Sequence, residues 1–82
     1  MIHQSIIVRA TWDDDARVWV ATSEDVPGLV AESAILEALR DKVLVMVPEL
    51  LELNGGSFVS AEIPIHFMAE QTTRIANPAL SA

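Results

Sequence analysis

Asp13, Asp14 and Asp15 stand in succession and are the first side chains here that could hold a cation, because hard ions want clustered carboxylate oxygens. Adjacent positions on a tight turn point apart, and neither the spacing nor the glycine of a calcium loop accompanies them. The triplet therefore reads as a solvated hairpin turn. His3 and His66 are the only imidazoles. If the first and last strands pair they approach each other, but two ligands fall short of the three or four that zinc needs. Nucleophilic catalysis wants a serine or threonine beside a base and an orienting acid. The serines fall mostly at turns and caps, and neither histidine adjoins one. A glycine-rich phosphate loop, a basic run and an aromatic ladder interleaved with Lys or Arg are all missing from the sequence. The expectation is a chain that is not an enzyme, uses no metal or cofactor, and makes no direct contact with nucleic acid.

Recognition chemistry has better candidates. Glu24 and Asp25 before Pro27-Gly28, with Glu32 beyond, form a second acidic cluster near the start of the predicted helix. They are either solvated loop charge or a contact surface for a basic partner. Trp19, inside a short strand, is either sheet cover or a binding anchor. Trp19, Glu24, Asp25 and Glu32 are the candidate partner-binding residues.

Length and composition narrow the setting. Eighty-two residues make one small domain, which buries only roughly 60% of its unfolded surface. A hydrophobic fraction of 51% is high for that size, so self-association that buries part of the excess is expected. Twelve acids against five basic residues give a net charge of -7. That balance argues against phosphate recognition and against an anionic membrane, and it favours a basic protein partner. The cysteine count is zero, so the fold needs no oxidising compartment. No signal-peptide pattern opens the sequence, and no apolar run reaches the ~18 residues of a membrane span. The expected location is the cytoplasm.

The elements that must position these residues follow from periodicity. Ile6, Val8, Ala10 and Trp12 alternate with Ser5, Ile7, Arg9 and Thr11, which predicts a strand with one core face. Asp13 to Ala16 turns the chain, and Arg17 to Thr22 returns as the second strand of an antiparallel hairpin. Pro27-Gly28 turns it again into a short third strand around Leu29 to Ala31. Ser33 is the expected helix cap. Ile35, Leu39, Val43, Met46, Val47 and Leu50 then form the core stripe of a helix. A second row, Leu36, Leu44, Val47 and Leu51, is wider than one sheet face covers; it serves either self-association or cover by the C-terminal tail. Pro48 should kink or split the helix, and Asn54-Gly55-Gly56 should stop it. Ser57 to Met68 alternates as a last strand, in which Pro64 argues for an edge, and a right-handed crossover makes it parallel to the first. The predicted fold is α+β, a two-layer β-β-β-α-β sandwich over residues 1–68, with residues 69–82 as a flexible tail.

With those residues in view, the stretch from about Ser5 to Leu53 resembles the N-terminal domain of HicB-type antitoxins, and more closely a set of small bacterial proteins related to it. The likeness rests on the acidic turn Asp13 to Asp15, Val18-Trp19-Val20-Ala21, Glu24-Asp25-Val26-Pro27-Gly28-Leu29-Val30, and Glu37-Ala38-Leu39. It implies a partial ribonuclease-H-like fold and binding to a small basic, RNA-cleaving HicA-type toxin, which the antitoxin masks. The family's capping threonine is Ala34 here, and Pro48 with the apolar run Val43 to Leu51 departs from its charged helix. The tail after the last strand is too short for the DNA-binding domain of a full antitoxin. Nor does the first strand carry, between Ile2 and Thr11, the acid that ribonuclease-H chemistry needs. The function implied is a non-catalytic interaction domain that forms homo-oligomers and masks a basic toxin. The alternative is a free-standing homo-oligomeric structural or regulatory module with no toxin partner.

Overall fold

The computed structural model describes residues 5–55 and 62–80. Its elements are β1 (Ile6–Asp13), β2 (Val18–Thr22), β3 (Val30–Ser33), α1 (Leu36–Leu53) and β4 (Ile65–Glu70). They form a four-stranded mixed sheet in the order β3-β2-β1-β4, with β1 antiparallel to β2 and parallel to β4. The β-β-β-α-β order, the parallel closing strand and its edge position are those expected from the alternation, the crossover rule and Pro64.

Alternation decides which face the helix covers. Ile6, Val8 and Ala10 of β1 are buried, as are Ala21 and Ala31. Ala10 lies opposite Ala21, which lies opposite Ala31, so a row of methyl groups crosses three strands. Small side chains there leave room for the larger ones of α1, and Leu39, Val43 and Val47 complete the core with Val26 and Leu29 from the corner. The opposite sheet face carries no second layer among the described residues. Ile7, Val30 and Met68 are exposed there at 41%, 64% and 45%.

Several boundaries differ from expectation. Leu29 is buried in the turn before β3, which instead runs on to Ser33. Because Ser33 still pairs with Trp19, the helix begins later, with Ile35 at the cap position and 65% exposed rather than in the core stripe. Ser33 contributes indirectly, its Oγ accepting from the Ile35 amide at 3.2 Å. The helix is not split at Pro48: α1 is one element of 18 residues. Proline removes a single backbone donor, while Val43 and Val47 before it and Leu50 and Leu51 after it are held against the core. The last strand starts at Ile65 and continues past Met68 to Glu70. Residues 57–61 of the predicted strand, like His3, lie outside the described residues.

Candidate protein-interaction surfaces

The acidic corner is built by side chains that continue the hairpin where its backbone ladder ends. After the Arg9–Thr22 pair, Ser23 Oγ donates to the Ile7 carbonyl at 2.6 Å, and the Ile7 amide donates to Asp25 Oδ2 at 2.9 Å. The Asp25 amide in turn donates to Ser23 Oγ at 3.1 Å. The chain then turns through Pro27 and Gly28, with the Leu29 amide donating to the Val26 carbonyl and Gly28 at φ +89°, where an L residue is strained. Asn54 Nδ2, just past the helix, donates to the Pro27 carbonyl at 3.1 Å. The corner is thus fixed at both ends, by β1 and by the end of α1.

This arrangement separates two acids that look equivalent in the sequence. Glu24 is exposed, whereas Asp25 is committed to the β1 backbone. Replacing Asp25 with lysine would remove the acceptor for the Ile7 amide. Asp25 is therefore a structural residue as well as a surface charge. Ile7, Arg9, Thr22, Ser23, Glu24 and Asp25 together line a shallow hollow of about 370 Å³ beside the uncovered sheet face.

The four candidate partner-binding residues do not form one patch. Glu32 lies opposite Val20, which lies opposite Thr11, and so belongs to the uncovered face with Ile7 and Arg9. Its carbonyl accepts from Lys42 Nζ at 2.8 Å, which shields part of the β3 edge. Trp19 instead shares the helix-side face with Ala21 and packs, half-buried, against the core. It meets Trp12 edge-on, with ring centroids 5.4 Å apart. Trp12 Nε1 donates to Asp14 Oδ1, Arg17 pairs with the same oxygen at 2.7 Å, and the Arg17 guanidinium lies 5.3 Å from the Trp12 ring centre. Asp13 Oδ1 accepts from the Asp15 and Ala16 amides. The three aspartates thus shape a turn, and Trp19 is a packing residue at the hairpin end. Among the described residues no group of three or more His, Cys, Asp or Glu is placed to hold a metal ion. His66 is exposed on the uncovered face opposite Ile7.

The four helix residues assigned to self-association also divide. Val47 is only 4% exposed and belongs to the core, because its position on the helix faces the sheet. Leu36 and Leu51 are partly buried against that core, and Leu44 is 42% exposed. Leu44, Val47, Pro48 and Leu51 form one wall of an apolar groove of about 380 Å³, and Ile63 and Ile65 form the other. The isoleucines went unnoticed in the sequence because strand alternation assigned them simply to a core face. Among the described residues of the tail, 71–80 are exposed throughout and do not cover this row.

Residues 5–77 match the family described as a domain of unknown function, DUF1902. No curated protein matches the chain. Among solved structures it is similar to a hypothetical protein, TTHA1013, of the extremely thermophilic bacterium Thermus thermophilus. The two share 49% identity over 89% of this chain and 99% of that one, with a TM-score of 0.65.

Proposed function

We propose that this chain, which belongs to the DUF1902 family, is a non-catalytic protein-interaction domain that binds and masks a small basic protein. The observation that carries the reading is the uncovered sheet face. Ile7, Val30 and Met68 offer exposed apolar area on it, and Glu24, Glu32 and Glu70 lie on or beside it. Apolar contact flanked by three glutamates against the cation of Arg9 suits a basic partner, since the apolar centre supplies affinity while the excess acidic charge steers encounter and fixes register. A net charge of -7 adds long-range attraction for the same class of partner.

The likeness to HicB-type antitoxins supplies the partner class: a small RNA-cleaving toxin, silenced by occlusion of its basic RNA-binding surface. Co-purification of the tagged full-length chain from its native cells tests the reading. A small basic protein should be recovered in stoichiometric amount by the natural chain and lost by Glu24→Lys/Glu32→Lys, whose circular dichroism should be unchanged. Equal recovery by both proteins, or recovery of no such partner, refutes it.

A further inference from the structure

We propose that residues 71–80 form an exchange arm, each copy in a twofold pair laying its arm into the apolar groove between α1 and β4 of the other. The inference is independent of any basic partner and uses a different surface. Beyond Glu70 every described residue of the arm is exposed, including Ile75 at 86% and Leu80 at 82%. The arm nevertheless has local structure. The Ala79 amide donates to Asn77 Oδ1 at 2.9 Å and the Leu80 amide to the Asn77 carbonyl at 3.1 Å, closing a turn from Asn77 to Leu80 around Pro78. The family match continues through the arm to Asn77, so it belongs to the domain and is not an appendage to it.

The arm runs away from its own groove. Ile63 and Ile65 stand at the start of β4, and the arm leaves from the other end, at Glu70, beside Thr11 and the hairpin turn. Ten extended residues reach roughly 33 Å. The molecule accordingly measures 60 × 29 × 18 Å, with a radius of gyration of 16.5 Å, against about 12 Å for a compact chain of this length.

A second copy resolves the mismatch. Among the described residues β4 is an edge strand with one side unpaired. If two β4 edges meet antiparallel about a twofold axis, Glu70 of one copy comes beside Ile65 of the other, and the arm runs on past Ile63 into the groove. Charge fits as well. The arm's only charged residue is Arg74, whereas all twelve acids lie outside residues 71–80, among them Glu52 next to Leu51 and Glu62 next to Ile63.

Sedimentation of the full-length protein over a concentration series tests this. The natural chain should have at least twice the single-chain mass of 8.9 kDa. Ile75→Asp/Leu80→Asp alters only exposed residues and should return the mass to that of one chain with unchanged circular dichroism. Leu44→Asp, at the groove's exposed lip, should do the same from the receiving side. A natural chain that stays monomeric throughout overturns the proposal, as does either variant retaining the natural mass.

Discussion

Removing the Asp25 carboxylate isolates the device that closes the first hairpin. Asp25→Ala takes away the acceptor of the Ile7 amide, 2.9 Å from Oδ2, and leaves the Ser23 hydroxyl bound to the Ile7 carbonyl. A hydrogen bond to a charged group contributes about 1.5–3 kcal/mol when well shielded. Both residues here are exposed, so water replaces much of the lost bond, and a loss of about 1–1.5 kcal/mol is expected. In a domain of this size that lowers Tm by roughly 5–10 °C. Glu24→Ala is the matched control, being adjacent, equally acidic and uncommitted, and its effect should stay within about 0.5 kcal/mol. Thermal and urea unfolding followed by circular dichroism measure the difference, and amide exchange at Ile7 localises it. Asp25→Asn, which keeps an acceptor without the charge, should fall between the two. Equal stability of Asp25→Ala and Glu24→Ala, with Ile7 exchange unchanged, would refute the structural role.

Two further substitutions test the backbone. Arg17 closes the hairpin turn at φ 59°, a region unfavourable to side chains with a Cβ; Arg17→Gly should therefore be more stable than Arg17→Ala by about 1 kcal/mol in urea unfolding. Both lose the same exposed ion pair and ring contact, so the comparison isolates the backbone. Pro48→Ala restores a donor to a helix that already runs through this position, and should raise stability by roughly 1–3 kcal/mol in the same assay.

The parts of the fold that were legible in the sequence depend on short-range periodicity or on chain-wide rules. Alternation from Ile6 to Trp12 gave β1 its inward face, and Pro64 together with the crossover rule put β4 at an edge and parallel to β1. What escaped depends on contacts between distant residues. Ser33 resembles a helix cap in isolation, but pairing with Trp19 keeps it in β3. Asp25 resembles Glu24 until Ile7, eighteen residues away, is brought alongside. Val47 fits both apolar rows of the helix, and only docking on the sheet decides between them. The four residues expected to meet a partner lie close in sequence, but strand alternation sends Trp19 to the opposite face from Glu32.

The central place of β1 has a consequence for how the chain is made. Its two neighbours arrive at very different times. β2 follows directly after a turn, and the β1-β2-β3 meander with α1 is complete by Leu53. The partner of Ile6 on the other side, Ile65, leaves the ribosome later still. Until then β1 carries an unpaired row of amides and carbonyls next to the apolar Ile6 and Val8, a template for any passing strand. Closure by β4 brings together segments separated by most of the chain, and such non-local pairing is the slow step in small domains. The last strand therefore acts as a seal on the nascent sheet, and shortening the time before it docks protects the chain from mispairing during synthesis.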